Sequence, residues 1–166
     1  NKIILKDAVN IVLLAGLVGD PITKKYPKIS KEINLNSTKK FISQCKKAKN
    51  LKKLIFVSTC SNYGISKRGK ISSERSKLNP LSSYAKYKVM IEKYILSLKN
   101  QVNFSSCILR FATAFGVSER MRFDLTVNHF VHSILNKQEL EIYDKNTWRP
   151  YCHVKDFARL ILKVLK

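Results

Sequence analysis

Short apolar runs alternate along this chain with segments whose apolar residues recur at helical spacing. Continuous apolar runs bounded by polar residues are typical of strands buried on both faces of a parallel sheet. Such runs predict strands at residues 11–15, 54–57, 106–111 and 140–143. Apolar residues spaced three or four apart indicate the buried face of a helix. This spacing predicts helices at residues 33–49, 84–98, 123–135 and 155–165.

The order of these elements predicts the fold class. Strands that alternate with helices form βαβ units, in which helices cover a mostly parallel sheet. We therefore predict an α/β fold. Asp20-Pro21 is interpreted as a break after the first strand, and residues 61–80 as a polar loop. No repeat, linker or low-complexity segment divides the chain, so one domain over residues 1–166 is the simplest partition.

Composition narrows the class of protein. The 45% of hydrophobic residues exclude a disordered polar chain. No apolar run reaches the roughly 20 residues that a membrane-spanning helix needs, and Asp7 interrupts the first apolar stretch, so the layout of a signal peptide is missing. We therefore predict a cytoplasmic protein. The four cysteines are far apart without C-x-x-C spacing, which predicts reduced thiols and no metal site.

The net charge of +21 raises the question of nucleic-acid binding. The lysines are spread along the whole chain, greatly outnumber the arginines, and are not interleaved with aromatic residues in one basic stripe. Charge alone supports only non-specific association. The pattern favours a solvated, lysine-rich surface, and specific nucleic-acid binding is not expected.

Two groups of polar residues are candidates for a catalytic site. Ser58 and Thr59 directly follow the predicted strand at 54–57, and ligands of open parallel sheets bind at the carboxyl ends of strands. Taken alone, these hydroxyls are better interpreted as a capped strand end. Tyr84 and Lys88 lie four residues apart on a predicted helix and therefore share a face. A nearby ammonium favours a phenolate, which makes a tyrosine a usable acid or base at neutral pH.

Seven blocks of the sequence, in order, carry a resemblance to a known family. They are LLAGLVGDP (13–21), EINLNST (32–38), FVSTCSNYG (56–64), PLSSYAKYK (80–88), LRFATAFG (109–116), RMRFDLTVNHFV (120–131) and RPYCHVKD (149–156). In this order they resemble the extended short-chain dehydrogenase/reductases, in particular the branch of NAD-dependent nucleotide-sugar epimerases and dehydratases. The resemblance covers nearly the whole chain and implies a Rossmann-like domain.

The resemblance also implies roles for individual residues. Tyr84 would remove a proton from a sugar hydroxyl while hydride passes to NAD, Lys88 would lower the tyrosine pKa and hold the nicotinamide ribose, and Thr59 would hydrogen-bond the reacting oxygen. The implied contacts to NAD, or to NADP, are Ala15, Gly16, Asn34, Ser58, Tyr84, Lys88 and Phe111. The implied contacts to the nucleotide-sugar substrate are Cys60, Ser61, Thr113, Asn128 and Arg149.

The chain departs from the family pattern at two places. Dehydratases carry an Asp-Glu pair after the catalytic threonine, where this chain has Cys60 and Ser61. Since neither is a good general acid at neutral pH, epimerase or reductase chemistry is favoured over dehydration. The glycine-rich loop that binds the pyrophosphate is also missing. We therefore expect a truncated Rossmann-like domain without its first strands, with the start of a substrate-binding portion from about residue 117.

Three functional hypotheses follow. The first is an NAD-dependent nucleotide-sugar epimerase-like protein, whose activity in a truncated chain needs proof. The second is a catalytically inactive fragment of such an enzyme. The third and weakest is a basic nucleic-acid-binding module. Under the first, the protein partner would be a second copy of the chain, or a companion chain that carries the N-terminal half.

Overall fold

The computed structural model describes residues 5–66, 70–142 and 145–166, without the side chain of Asp20. Its strands are β1 (Asn10–Leu13), β2 (Lys53–Thr59), β3 (Ser105–Phe111), β4 (Thr113–Phe115) and β5 (Tyr151–His153). Its helices are α1 (Asp20–Lys25), α2 (Pro27–Lys31), α3 (Thr38–Cys45), α4 (Ser83–Ser97), α5 (Thr126–Leu135) and α6 (Val154–Leu165). A π-helical segment, Glu32–Ser37, joins α2 to α3, and a 3-10 turn, Cys60–Tyr63, follows β2. The predicted α/β fold is confirmed.

The chain divides into two compact units, Asn1–Arg110 and Phe111–Val164. The first unit contains a sheet with the strand order β1-β2-β3. β1 and β2 run parallel, with Asn10 opposite Lys53 and Leu13 opposite Phe56. Because parallel strands end at the same edge of a sheet, this register brings the residues after β1 level with the end of β2.

The core of the first unit forms where the helices cover β2. Leu54, Ile55 and Phe56 are at most 1% exposed, as expected for a central strand of a parallel sheet. The buried face of α4 combines apolar side chains with two charged ones. Its buried residues are Ala85, Lys88, Val89, Ile91, Glu92 and Ile95. Charged side chains are rarely buried this completely unless they are paired, so Lys88 and Glu92 need an explanation beyond packing.

The second unit contains a two-stranded parallel sheet. β4 pairs with β5, Thr113 opposite Tyr151 and Phe115 opposite His153. The Phe111 ring stacks on that of Phe157 in α6, with a centroid distance of 4.0 Å. Gly116 has a φ of 122°, and an added Cβ would lie 2.6 Å from Nε2 of His153. Only glycine fits this close approach of the β4 end to β5.

The sequence predictions for β2, β3, α4 and α6 are confirmed with boundaries shifted by one or two residues. The helix predicted at 33–49 ends at Cys45, and the chain before it is already helical from Asp20. The first strand ends before Asp20-Pro21, as predicted, and Pro21 and Pro27 in addition occupy first turns of helices. A helix does not need their missing N–H groups there.

Two further predictions differ from the structure. The helix predicted from residue 123 begins at Thr126. Residues 140–142 form no strand, and Tyr143, the last residue of that predicted strand, lies outside the described residues. Instead, the three-residue strands β4 and β5 pair with each other. Strands this short show no hydrophobic period by which a sequence could predict them. Within the described part of the chain, no helix is both long and apolar enough to cross a membrane.

Candidate active site

The end of β2 presents the first group of the site. Thr59 has extended backbone angles, φ −144° and ψ 144°, and its Oγ1 accepts a hydrogen bond of 3.2 Å from the backbone N–H of Ser61. This bond caps the 3-10 turn. A hydroxyl that accepts one bond can still donate its own hydrogen. Thr59 is therefore held in place at the carboxyl edge of the sheet while it keeps a donor.

Helix α4 supplies the other two groups. It begins after Ser82, whose Oγ accepts from the backbone N–H of Ala85 at 3.2 Å. This start places Tyr84 in the first turn and Lys88 one turn later, on the same face. The Lys88 Nζ lies 5.6 Å from the centre of the Tyr84 ring and 4.6 Å from that of Phe56. The predicted pair is therefore brought together in space.

Lys88 is also tied to the strand. Its Nζ donates a 2.8 Å hydrogen bond to the carbonyl of Val57, two residues before Thr59. The side chain is 4% exposed, and this burial lowers the Lys88 pKa from 10.5 to about 8, while the negative charge of Glu92 acts in the opposite direction. The amine thus remains mostly protonated at pH 7. A cation in this position stabilises a phenolate.

The buried amine makes folding stability depend on pH. Between pH 8 and 10.5 the unfolded chain keeps a proton that folded Lys88 has released, so this group contributes more stability as pH rises. We expect the free energy of unfolding of the unaltered chain to gain about 2–3 kcal/mol over that of Lys88→Met between pH 7 and pH 10. Urea unfolding at both pH values measures this. Lys86→Met, at an exposed lysine of α4, is the control, and an equal trend in both variants would contradict the assignment.

Ser58 lies inside the protein. It is 4% exposed, and its Oγ donates to Oε1 of Glu92 at 2.5 Å. Successive side chains of a strand point to opposite faces, so β2 turns the Ser58 and Thr59 hydroxyls in opposite directions. The implied contact of Ser58 with a cofactor remains a prediction. Its observed contacts link β2 to α4.

The turn after β1 lies level with Thr59 at the same sheet edge. Ala15 and Gly16 are exposed there. Asn34 is buried and clamps the turn from behind, since its Oδ1 accepts from the N–H of Leu17 and its Nδ2 donates to the carbonyl of Leu17, both at 2.9 Å. A Cβ added to Gly16 would lie 3.0 Å from Asn34 Oδ1. The asparagine thus shapes the turn that the exposed residues form.

This clamp gives a second prediction. Asn34→Ala leaves both polar groups of Leu17 without these bonds, so the free energy of unfolding should fall by about 1–3 kcal/mol. Asn36→Ala is the matched control, because the Asn36 amide is exposed and its bond to Glu32, at 2.7 Å, lies within its own helical segment. Its effect should stay within about 0.5 kcal/mol. Equal losses in urea unfolding would argue against the clamp.

The other predicted residues have the following positions. Cys60 is half-buried and Ser61 exposed, both in the 3-10 turn. In the second unit, Thr113 begins β4, and its N–H donates to the carbonyl of Pro150 at 3.1 Å. Asn128 is 9% exposed. Its side-chain amide accepts a hydrogen bond of 3.3 Å from the Gly116 N–H and donates one of 3.1 Å to the Arg122 carbonyl. Arg149 is exposed, and Phe111 has its ring stacked on Phe157.

Sequence reasoning missed Glu92 and Arg110. Glu92 is 1% exposed and bonds Ser58, Asn62 and Arg110. Its spacing of four from Lys88, on an otherwise apolar helix face, was the available signal. Among the described residues, no group of three His, Cys, Asp or Glu side chains could hold a metal ion.

Known proteins resemble this chain along most of its length. Residues 2–166 match the NAD dependent epimerase/dehydratase family. The chain is 30% identical over 133 residues to an uncharacterized UDP-glucose epimerase, YtcB, of Bacillus subtilis (strain 168), and 29% identical over 126 residues to Protein CapI of Staphylococcus aureus. These matches cover 80% and 75% of this chain but only 40% and 37% of the relatives.

Solved structures give the same result. UDP-glucuronic acid 4-epimerase from Bacillus cereus, in complex with UDP-glucuronic acid and NAD, superposes with a TM-score of 0.87 at 26% identity, over 99% of this chain and 52% of that one. UDP-N-acetylglucosamine 4-epimerase from Methanobrevibacter ruminantium M1 gives a TM-score of 0.84 at 28% identity, over 95% and 51%. The chain thus spans about half the length of these structures. By the match along residues 2–166, this chain belongs to the NAD-dependent epimerase/dehydratase family.

Proposed function

We propose that this chain carries the proton-transfer site of an NAD-dependent nucleotide-sugar epimerase. The observation that carries the proposal is the position of Lys88. Its buried ammonium is anchored to Val57 at 2.8 Å and lies 5.6 Å from the Tyr84 ring centre, at the carboxyl end of β2. A buried amine that stays charged beside a phenol has a clear chemical use as the support of a tyrosine base.

The residues at this edge fit a nicotinamide cofactor. An ammonium has three hydrogens, so the bond from Lys88 to Val57 leaves two for the ribose hydroxyls. The exposed turn at Ala15 and Gly16 offers backbone close to the same edge, and Asn34 and Ser58 would support it from inside. When bound, NAD supplies a hydride acceptor that can also return the hydride. The Phe111 ring at the end of β3 is a further contact in this proposal.

The chain's own side chains would then move and hold the proton. Tyr84 takes the proton from the sugar hydroxyl whose carbon is oxidised, and returns it when the keto-sugar is reduced on its other face. Lys88 holds the phenolate charge, and Thr59 donates a hydrogen bond to the reacting oxygen. Dehydration needs a general acid at this position, and neither Cys60 nor Ser61 is a good general acid at neutral pH. Epimerisation or simple reduction is therefore favoured over dehydration.

The substrate of the proposal is a nucleotide sugar. Several solved relatives were obtained with UDP-sugars. Thr113, Asn128 and Arg149, with the portion from about residue 117 onwards, would contact it. An exposed guanidinium such as that of Arg149 suits a diphosphate, because its planar fork can bind two oxygens at once.

The partner and the setting are also proposals. The proposed protein partner is a second copy of this chain or a companion chain that carries the N-terminal half, and the chain spans about half the length of its solved relatives. A cytoplasmic location is consistent with four cysteines that form no disulfide. The second candidate is an inactive fragment that keeps the fold of the site, with which this coverage of about half is consistent.

Ligand binding separates the two candidates. We expect titration calorimetry with NAD, followed by UDP-glucose, to show binding of both, and NMR of the sugar signals to show slow conversion to the C4 epimer. Conversion that appears only after a companion chain with the glycine-rich half is added would support the two-chain form of the proposal. Absence of NAD binding at millimolar concentration, with and without that companion, would favour the inactive fragment.

A further inference from the structure

A buried cluster of polar side chains lies directly behind the candidate site. Its centre is Glu92, on α4 one turn after Lys88, at 1% exposure. Its carboxylate accepts hydrogen bonds from three different elements. The donors are Ser58 Oγ in β2 at 2.5 Å, Asn62 Nδ2 in the 3-10 turn at 2.7 Å, and Arg110 Nη2 in β3 at 2.7 Å.

Arg110 completes the cluster. Its Nε lies 3.2 Å from one Glu92 oxygen and 3.1 Å from the other, so the guanidinium binds the carboxylate in a forked arrangement. The pairing with Glu92 raises the Arg110 pKa above its usual range. Nη1 also donates to the Tyr63 hydroxyl at 3.1 Å. A buried carboxylate is tolerated when it is paired and fully hydrogen-bonded, and Glu92 meets both conditions.

The positions of the donors suggest what the cluster does. Ser58 and Asn62 bracket the three residues Thr59–Ser61, and Asn62 Nδ2 also bonds Ser58 Oγ at 3.0 Å. Both ends of the segment that carries Thr59 are thus joined to one carboxylate. The carboxylate belongs to the same helix as Tyr84 and Lys88.

We propose that Glu92 is a positioning residue, which with Arg110 locks the Thr59–Ser61 turn onto the helix that bears Tyr84 and Lys88. The inference rests on the proposed function, since it assigns Glu92 a role in that site. Two links then fix the geometry between strand end and helix, namely Lys88 to Val57 and Glu92 to Ser58 and Asn62. A side chain that only packed the helix would not need donors on both sides of the threonine.

The carboxylate also sets the charge of the site. The charged or titratable groups around it are Lys88 on its own helix, Arg110 from β3, and Tyr63 beyond Arg110. Glu92 raises the Lys88 pKa against the effect of burial. Without its charge, the Lys88 ammonium keeps the cost of burial and loses the favourable interaction with Glu92. The same group thus holds the turn and favours the protonated form of the amine.

The test uses Glu92→Gln, which keeps the shape and removes the charge, and Glu92→Asp, which keeps the charge on a shorter side chain. NMR of the Lys88 side-chain ammonium, assigned by its loss in Lys88→Arg, follows its titration. Hydrogen exchange of the amides of Ser61 and Gly64 follows the turn. Neither measurement needs turnover, so an inactive chain still tests the inference, while activity is measured separately.

Glu92→Gln should lower the titration midpoint of the Lys88 ammonium by a measurable shift. It should also speed hydrogen exchange of the Ser61 and Gly64 amides by at least ~10-fold more than that of the amides in β1 and α3. Glu92→Asp should restore most of the titration but not the slow exchange. If either variant fails to fold, Ser58→Ala removes one donor and should still speed exchange in the turn. Lys93→Gln, at an exposed position of the same helix, is the control.

Two results would overturn the inference. One is an unchanged Lys88 titration together with unchanged turn exchange in Glu92→Gln. The other is faster exchange by the same factor at every protected amide, since that would mean only global loss of stability. With an active preparation, kcat should fall while KM for the UDP-sugar stays constant. A fall in kcat that follows the folded fraction alone would also count against the positioning role.

Discussion

A Tyr84→Phe variant is expected to lose turnover by about 10²–10⁴-fold while it keeps its fold. The change removes one oxygen atom, the one that would take and return the proton, and leaves the ring beside Lys88. NAD binding should therefore persist. The measurement is the rate of UDP-sugar conversion under conditions where the unaltered chain is active, with circular dichroism and urea unfolding on the same samples.

Tyr87→Phe is the control for this change. Tyr87 lies on the same helix and packs against the hydrophobic core, so it tests the loss of a phenol hydroxyl away from the site. It should keep nearly full activity. If Tyr84→Phe retained unaltered turnover, the tyrosine would not be the base. If both variants lost activity equally, the effect would belong to the helix and not to the site.

Phe56→Ala is expected to give the largest loss of stability, about 3–5 kcal/mol. The ring is 1% exposed at the centre of β2, so truncation leaves a cavity that the surrounding strands and helices cannot close fully. Small domains are stable by only about 5–15 kcal/mol, and much of the chain would be unfolded at 37 °C. The measurement is urea unfolding monitored by circular dichroism.

Phe56→Leu separates two functions of this ring. Leucine fills most of the space and should cost far less stability than alanine, yet it removes the aromatic face that lies 4.6 Å from the Lys88 Nζ. We expect a lower Lys88 pKa in Phe56→Leu, because the ring helps to stabilise the ammonium. An equal loss of stability in the leucine and alanine variants would contradict the packing argument.

Local pattern was enough to predict the parts of the fold that bury a continuous apolar surface. β2 and α4 were predicted because LIFV and the face of Val89, Ile91 and Ile95 have the periods of a strand and a helix. The Tyr84 and Lys88 pair was visible for the same reason, since four residues make about one helical turn. Those parts of the site therefore follow from sequence alone.

The remaining parts depend on partners distant in sequence. β4 and β5 are three residues each and pair across nearly 40 positions, as Thr113 with Tyr151. No local period marks such strands. Glu92 could be noticed as a charge on an apolar face, but its donors Ser58 and Arg110 lie 34 and 18 positions away. Only the folded chain shows that the Thr59–Ser61 turn and helix α4 are joined by one buried carboxylate.

The alternation of hydroxyls at the end of β2 limits how this protein can change over evolution. Ser58 faces the buried carboxylate, and Thr59 turns to the opposite side. Conservative replacements along β2 preserve that alternation, whereas deletion or insertion of a single residue within the strand inverts it. The threonine hydroxyl would then point to the buried side of the strand and a serine hydroxyl to the opposite side. Insertions and deletions in related chains should therefore be confined to the segments outside β2.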